Sequence, residues 1–394
     1  MAPEPPPSPE DTLEARSAEA GLSSEIVQAS IGAYGATSGG IRTAHTDSWV
    51  RAGDGPVGVV GREEREARQD RDMAPGATRA RGAGNREWEE QADPTRTCFE
   101  KDRDRIRYAR PFRRLAGKCQ VFLAPDDIHV RTRMTHTLEV AQVAGAIAQA
   151  VGLNVALAEA IALGHDCGHG PGGHASEDAL APYVEGGYDH ALYGADVALS
   201  EFNLCRETLD GIRQHSWRLS APATPEGEVV SIADRLAYVV ADRDDAVRTG
   251  ILGPTELPAL VAERLGATSS QQTHTLMYGV VDAVVASGRI GITEWVAEAL
   301  DAYRDFNYER IYLRDSAAEQ NRRVVDMLRW LVEHLAEQPG LIPAVANGEW
   351  ETPMSRDGLA VAHSVRYVSG MTDNFAIASA RRMGYDPQRL PRGL

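Results

Sequence analysis

Cysteine, aromatic residues and long hydrophobic runs are scarce in this chain. Among its 394 residues there are four cysteines, and aromatic residues make up 6% of the sequence. The cysteines lack the paired spacing of a disulfide framework, which favours a reducing compartment. The apolar stretch at residues 155–163 is interrupted by Glu159 and is shorter than the roughly 18 residues that span a bilayer. The N-terminus lacks the basic and apolar regions of a secretory signal. We therefore expect a cytoplasmic protein that does not bind a membrane.

Basic residues are also fewer than acidic residues: the chain has 41 Lys and Arg against 57 Asp and Glu, and its formal net charge is −16. This balance argues against a surface that binds nucleic-acid backbones as a whole. Arginines nevertheless concentrate between residues 62 and 114. One interpretation is that these arginines lie on helix faces and pair with Asp and Glu. The other is that they form a local binding site for polyphosphate. Nucleic-acid binding through this segment is a secondary hypothesis, since aromatic residues that would stack on bases are scarce there.

The pattern of apolar residues changes along the chain. Residues 1–93 are rich in Pro, Gly, Ala, Ser and charge without apolar periodicity, which predicts a largely flexible N-terminal arm. Apolar residues then recur at helical spacing. The predicted helices cover residues 136–151, 155–166, 175–184, 190–202, 205–215, 228–249 and 257–265, with a further series from 275 to 335. Strand signals are confined to residues 120–122 and 361–368. We therefore predict an all-α fold, a helical bundle whose core spans residues 94–260 and is completed by helices within residues 261–394.

The densest group of chemically active residues is HDCGHGPGGH at residues 165–174. A single His on an apolar helix face usually satisfies its hydrogen bonds within the core. Here three imidazoles and a carboxylate crowd a helix end and a glycine-rich turn, and each buried polar group needs a partner, which favours a metal site. His165 and Asp166 form one half of that site, and His136 with Asp234 would supply the other half. Ligands of this type without a thiolate suit Mn, Mg, Co, Ni or Fe.

Several separated motifs resemble one protein family. They are DRDRI at 102–106, FRRL at 112–115, RTRMTHTLEVA at 131–141, HDCGHGPGGHASE at 165–177, DRLAY at 234–238, FNYERIY at 306–312 and GMTD at 370–373. In this order they resemble the HD-domain deoxynucleoside triphosphate triphosphohydrolases, the dGTPase-like family, from about residue 94 to the C-terminal region. The resemblance implies an HD-domain helical bundle that hydrolyses deoxynucleoside triphosphates to deoxynucleoside and tripolyphosphate. It also implies a divalent metal cofactor, a nucleotide substrate and assembly into a homo-oligomer.

The resemblance also assigns roles to individual residues of this chain. The metal ligands it implies are His136, His165, Asp166 and Asp234. The residues it places at the reacting phosphate are His174, Glu177 and His169. The substrate-binding residues it implies are Arg133, His190, Arg235, Tyr238, Asp242 and Gln120. Because Glu177 follows His174 at i+3, we expect its carboxylate to orient that imidazole and raise its basicity.

Departures from the family pattern leave the substrate open. Relatives commonly read Pro-Pro-Phe-Gly-His where this chain has GPGGH at residues 170–174, so an aromatic residue close to the site is missing, which predicts a looser pocket. One alternative is an HD phosphohydrolase that acts on nucleoside monophosphates or modified nucleotides, and another is a noncatalytic nucleotide-binding sensor. His215 is a candidate for the neighbourhood of the site, with packing at a helix end as the alternative. Asp373 matches a family position without an assigned role.

Overall fold

The structure is a computed structural model that describes residues 36–38, 40–44, 58–123 and 129–391. The chain divides into two units, Met1–Val59 and Val60–Leu394. In the first unit, the described residues form a short antiparallel hairpin of β1 (Ala36–Ser38) and β2 (Ile41–Thr43). Most of the predicted flexible arm before residue 58 lies outside the described residues.

The described part of the second unit contains sixteen α-helices. They are α1 (Arg62–Asp72), α2 (Cys98–Tyr108), α3 (Arg110–Arg114), α4 (Arg133–Ala150), α5 (Val155–Gly164), α6 (His174–Leu180), α7 (His190–Tyr193), α8 (Arg206–Gln214), α9 (Pro225–Arg248), α10 (Ala259–Arg264), α11 (Ser269–Ser287), α12 (Glu294–Asn307), α13 (Asp315–Glu337), α14 (Pro343–Ala346), α15 (Gly358–Ser369) and α16 (Asp373–Met383). Two π-helical turns, Gly194–Ala198 and Tyr308–Tyr312, extend α7 and α12. The all-α prediction is confirmed. No helix in the described ranges is both long and apolar enough to cross a membrane.

Polar caps decide where the helices near the site begin. The Thr132 hydroxyl accepts a hydrogen bond from the Thr135 amide and starts α4, so His136 falls in the first turn of that helix. The Asn154 side chain accepts from the Leu157 amide and starts α5. The ten residues of α5 end at Gly164, immediately before His165. The local sequence thereby places both histidines at helix ends that face the interior.

Two large apolar clusters pack the helices. The first joins α2, α4, α5, α8, α9, α11 and α12 through buried residues such as Ile147, Leu157 and Leu236. The second joins α6, α13, α15 and α16 through residues such as Leu180 and Leu331. Because α5 belongs to the first cluster and α6 to the second, residues 165–173 cross from one cluster to the other. The His-rich motif therefore lies at the junction of the two clusters.

Residues 61–93 are part of the second unit. Besides α1, this segment contributes buried Ala77 and Ala80 to the first cluster. The guanidinium of Arg86 is buried and lies 2.5 Å from the carboxylate of Asp102, and the Thr78 hydroxyl donates to buried Glu226 over 2.7 Å. The predicted boundary at residues 93 and 94 therefore falls inside a packed unit.

The arginine-rich segment divides into paired and unpaired residues. Arg103 lies 2.5 Å from Glu159 and Arg105 lies 2.6 Å from Glu90, so both follow the paired-face interpretation. Arg107 and Arg110 are exposed, and neither contacts a carboxylate within the described residues. The paired-face interpretation therefore accounts for Arg103 and Arg105 but leaves Arg107 and Arg110 without a carboxylate partner in the described residues.

Both strand predictions are wrong. Residues 361–368 lie in α15, where Val361, Val365 and Val368 recur at i, i+4 and i+7 and the last two are buried. The Asp357 carboxylate caps this helix by accepting from the Ala360 amide. β-branched residues suggested a strand, but a capped start and one apolar face determine a helix. Residues 120–122 form bends, beside an isolated bridge between Cys119 and Thr132.

Candidate metal centre and active site

The four predicted metal ligands come together from three parts of the chain. His136 lies on α4, His165 and Asp166 follow α5, and Asp234 lies within α9. His136 Nε2 is 2.9 Å from Asp234 Oδ1, and His165 Nε2 is 3.8 Å from the same oxygen. His165 Nε2 is also 3.4 Å from Asp166 Oδ1. Ligand atoms of His136, His165 and Asp234 all lie within 4.8 Å of one another.

The chemistry of these donors fits a divalent cation. His165 Nδ1 is 2.7 Å from the Ala162 carbonyl oxygen, so that nitrogen donates its hydrogen and the lone pair belongs to Nε2. Nε2 is fully buried, faces two carboxylates and has no hydrogen-bond partner in the described residues. A buried lone pair beside two anionic groups is stabilised by a cation. The mixed nitrogen and oxygen donors suit a transition metal or magnesium.

Arg133 adds a buried positive charge beside this cluster. The residue is 1% exposed, and its Nη1 donates to Asp166 Oδ2 over 2.8 Å. Its Nε and Nη2 are buried without a hydrogen-bond acceptor in the described residues. Burial alone would raise the pKa of Asp166, but the charges of His165, Arg133 and His169 outweigh it and hold that pKa well below 3.8. Asp166 is therefore ionised, and Arg133 keeps free donors for an anion.

Three histidines predicted at the phosphate form a stack. The ring centroids of His169 and His190 are 3.7 Å apart, and those of His169 and His174 are 5.1 Å apart. His169 Nε2 lies 3.3 Å from Asp166 Oδ1, whereas His174 is exposed at the open side of the stack. The structure thus joins the predicted phosphate-facing histidines to the predicted metal ligands through Asp166.

Glu177 contacts a different histidine from the one that its spacing suggested. Its carboxylate accepts a hydrogen bond from His190 Nδ1, while His174 was the expected partner. Asp189 caps α7 by accepting from the Ala191 amide, which places His190 at the first position of that helix, against Glu177. Burial would raise the pKa of Glu177, but the hydrogen bond and charge of His190 keep it well below 4.5. Glu177 therefore orients His190.

His215 is part of this cluster rather than a distant packing residue. It follows α8, is 2% exposed, and its Nε2 lies 3.2 Å from His190 Nε2. Its Nδ1 donates to the Ile212 carbonyl oxygen over 2.7 Å, which leaves the Nε2 lone pair towards the site. Its ligand atom also lies within 4.8 Å of those of His165 and Asp166.

The remaining predicted substrate residues extend the site along α9. Asp234, Tyr238 and Asp242 are spaced at i, i+4 and i+8 and share one face of the helix. Asp242 is 3% exposed, accepts a hydrogen bond of 2.5 Å from the Tyr312 hydroxyl, and burial raises its pKa to about 7.

Gln120 has a buried Oε1 without a partner in the described residues, and no hydrogen bond joins it to the cluster there.

Arg235, which follows Asp234 on α9, packs against an aromatic ring. Its guanidinium carbon lies 3.6 Å from the centroid of the Trp217 ring, a residue that the sequence did not single out for the site.

Two residues that the sequence assigned no role support the glycine-rich turn, residues 168–173. Lys118 is 2% exposed, and its ammonium donates to the backbone carbonyls of His169 and Ser369. The Asp373 carboxylate accepts from the Gly172 amide over 2.9 Å and from the Cys119 amide over 2.8 Å. The C-terminal helices therefore fix the turn that carries the stacked histidines.

Comparison with known proteins agrees with this architecture. Residues 133–239 match the HD domain family, and residues 290–382 match the phosphohydrolase-associated domain. A deoxyguanosinetriphosphate triphosphohydrolase-like protein of Caldanaerobacter subterraneus is 36% identical over 315 residues, which cover 77% of this chain and 90% of that protein. Proteins with the same description are 37% identical in Clostridium perfringens (74% of this chain, 87% of theirs) and 32% identical in Paracoccus denitrificans (79% and 99%).

The first matched range contains the His-rich motif and all four candidate metal ligands. Identity above 30% extends over about three quarters of this chain and most of each of these relatives. This chain therefore belongs to the deoxyguanosinetriphosphate triphosphohydrolase-like family of HD-domain hydrolases.

Proposed function

We propose that this chain hydrolyses deoxynucleoside triphosphates at the α-phosphorus and releases a deoxynucleoside and tripolyphosphate, with dGTP or a broader set of these nucleotides as substrate. One observation carries the proposal. Within a single buried cluster, the His165 lone pair calls for a cation while two donor nitrogens of Arg133 call for an anion. A phosphorylated substrate with a divalent cation meets both requirements. The names of the relatives support a deoxynucleoside triphosphate as that substrate.

The chain's own residues divide the work. His136, His165, Asp166 and Asp234 would hold the cation. When bound, a divalent cation supplies positive charge to the reacting phosphate and lowers the pKa of a water molecule. Arg133 presents its free Nε and Nη2 donors to phosphate oxygens, and burial strengthens these hydrogen bonds because water does not compete for them.

The stacked histidines handle protons at the reacting centre. Glu177 holds His190 in place through Nδ1, and His169 contacts Asp166. His174, on the open side, would either position the attacking water or protonate the departing oxygen. Further along α9, Tyr238 and Asp242, together with Gln120, would bind the sugar. Arg235 would bind the phosphates.

Product analysis tests the proposal. The four dNTPs and the corresponding ribonucleotides are incubated with the protein and Mn²⁺, Mg²⁺ or Co²⁺, and phosphorus NMR identifies the products. We expect tripolyphosphate from at least one dNTP and none in the presence of a chelator. Release of orthophosphate or pyrophosphate in place of tripolyphosphate would exclude cleavage between the α-phosphorus and the 5′-oxygen of the deoxynucleoside, and with it the proposed reaction. Failure with every triphosphate would favour the alternatives, nucleoside monophosphates or modified nucleotides, or a noncatalytic sensor.

Two variants separate metal binding from chemistry. His174→Ala should retain metal, measured by elemental analysis of the purified protein, and lose most turnover. Asp166→Ala should lose both. His274→Ala is the matched control, because His274 is exposed on α11 and packs against Tyr278 away from the cluster. Unchanged hydrolysis in His174→Ala would remove that residue from the mechanism.

Assembly and partners beyond the nucleotide stay predictions. Homo-oligomer formation follows from the resemblance and is measured by sedimentation velocity. Nucleic-acid binding remains the secondary hypothesis, because Arg103 and Arg105 are engaged by Glu159 and Glu90.

A further inference from the structure

Residues 215–218, the segment that leaves α8, contact three different site residues. His215 Nε2 lies 3.2 Å from His190 Nε2, and Arg218 Nη2 lies 3.2 Å from Glu177 Oε2. Trp217 lies between these two residues in the sequence, and its ring centroid is 3.6 Å from the guanidinium carbon of Arg235. His215 and Arg218 reach residues of the histidine cluster, whereas Trp217 reaches a residue outside it. The Trp217 contact is therefore the one that the catalytic cluster does not account for.

Trp217 is fixed although it is largely exposed. The residue is 57% exposed, so burial of apolar surface does not account for its position. Its indole Nε1 donates to the Ser231 carbonyl oxygen over 2.9 Å, and the Ser231 hydroxyl donates to the His215 carbonyl oxygen over 2.6 Å. Ser231 and Arg235 are four residues apart on α9 and share a face. These two hydrogen bonds hold the ring where the Arg235 side chain passes.

Arg235 has a charge without an acceptor. No carboxylate, carbonyl or hydroxyl oxygen accepts a hydrogen bond from its guanidinium among the described residues, and the group is only partly exposed. A guanidinium that stacks on an aromatic face uses its own flat face and leaves its N–H donors pointing outward in the plane. Those donors have the fork geometry that matches two oxygens of a phosphate.

We propose that Trp217 is a positioning residue that holds the Arg235 guanidinium flat and presents its in-plane donors to the polyphosphate of the substrate. The inference rests on the proposed function in one respect, that the substrate carries a polyphosphate. A rigid indole platform restricts the rotamers of Arg235 before binding, so less conformational entropy is lost when the phosphate arrives. Trp217 thus acts on affinity through Arg235, without touching the reacting atoms.

The chain offers a matched control for an exposed tryptophan beside an arginine. Trp295 is 54% exposed, and the Arg264 guanidinium lies 5.5 Å from its ring centroid. Arg264 is already occupied, because it donates to the Trp295 carbonyl oxygen over 2.8 Å and pairs with Glu298. Trp295→Ala therefore removes an exposed indole and a cation–π contact without freeing or misplacing a phosphate donor.

The experiment compares Trp217→Ala, Trp217→Phe, Arg235→Ala, the double variant Trp217→Ala/Arg235→Ala and Trp295→Ala. Calorimetry measures the Kd of inorganic tripolyphosphate, and steady-state kinetics with a dNTP give KM and kcat. For Trp217→Ala we expect Kd and KM to rise about 3- to 30-fold, the range of a cation–π contact. We expect kcat to change less than about threefold, because uniform binding is lost. Phenylalanine keeps an aromatic face and should recover part of the affinity.

The affinity of the double variant for tripolyphosphate tests whether Trp217 acts through Arg235. If Trp217 acts through Arg235, the double variant binds tripolyphosphate no more weakly than Arg235→Ala. Additive losses, or wild-type Kd and KM in Trp217→Ala, would overturn the inference. A fall in unfolding midpoint without a change in Kd would assign Trp217 a purely structural role and overturn it equally.

The two proposals fail in different ways. If the wild-type protein hydrolyses no dNTP but binds tripolyphosphate in a manner that needs both Trp217 and Arg235, the proposed reaction is wrong and the positioning role stands. If the wild-type protein hydrolyses dNTPs while Trp217→Ala is unaffected, the reaction stands and the positioning role is wrong. If tripolyphosphate does not bind and no dNTP is hydrolysed, both are wrong.

Discussion

Replacement of Lys118 by methionine should change how stability depends on pH. Lys118 is 2% exposed, and burial lowers the pKa of its ammonium from 10.5 to about 8, with Arg114 and Arg133 adding to the effect and Asp373 opposing it. The difference corresponds to about 3 kcal/mol that the fold loses by keeping this group charged at neutral pH. Methionine removes that cost but leaves the carbonyls of His169 and Ser369 without a donor, at about 1–3 kcal/mol each.

The sign of the pH dependence follows from the lowered pKa. Between pH 8 and 10.5 the unfolded chain holds the Lys118 proton more tightly than the folded chain does. Stability of the wild-type protein therefore rises with pH across this window through this group. A methionine side chain does not titrate, so the difference in unfolding free energy between wild type and Lys118→Met should shift by about 2.5 kcal/mol towards wild type from pH 7 to pH 10.

Urea denaturation of the two metal-free proteins at pH 7, 8, 9 and 10 measures this difference. Tyrosine and cysteine titrations occur in both proteins and cancel on subtraction. A difference that stays within about 0.5 kcal/mol over the whole range would refute the reasoning, because it would mean that the buried ammonium is solvated as in the unfolded chain. A difference that moves in the opposite direction would refute it as well.

Three further outcomes are expected. Asp242→Asn should become more stable relative to wild type as pH rises from 5 to 8, because the folded Asp242 carboxyl, with a pKa of about 7 against 3.8, loses its proton there at a cost; thermal unfolding at both pH values checks this. Gly173→Ala should lose about 1–3 kcal/mol of stability and most turnover, since φ is +62° and a Cβ would lie 2.6 Å from the Arg133 guanidinium. Gly187→Ala, with φ +90° and open space, should lose stability alone. Asp373→Asn should retain metal by elemental analysis while kcat falls about tenfold, because the Gly172 turn loosens; unchanged kcat would contradict the supporting role.

The convergence of the four candidate metal ligands was accessible to sequence reasoning because their residue types and their helix starts are local features. His165 and Asp166 are adjacent, and the cap at Asn154 with the length of α5 places them at a helix end. Asp234, Tyr238 and Asp242 share a helix face by spacing alone. Such features follow from residue type and helical geometry.

Contacts between residues that are far apart in the sequence could not be predicted from local sequence patterns. Arg86 is buried because Asp102 faces it, and Glu177 bonds to His190 because the cap at Asp189 places that histidine there. The composition of residues 1–93, which include Arg86, predicted a flexible arm. The i, i+3 spacing predicted His174 as the partner of Glu177, whereas the structure has His190 there. Trp217 carried no sequence signal either, since its partner lies on another helix. Tertiary packing, rather than local pattern, decides these contacts.

The support of the glycine-rich turn has a consequence for protein synthesis. Lys118 and Ser369 are 251 positions apart, Cys119 and Asp373 are 254 apart, and Gly172 and Asp373 are 201 apart. When all four candidate metal ligands have emerged from the ribosome, the nascent chain still lacks the Asp373 carboxylate that fixes the turn. Under the proposed function, full activity should therefore appear only when translation is nearly complete. Under the proposed function, a chain truncated before α16 should keep its candidate metal ligands but hydrolyse nucleotides more slowly than the full chain.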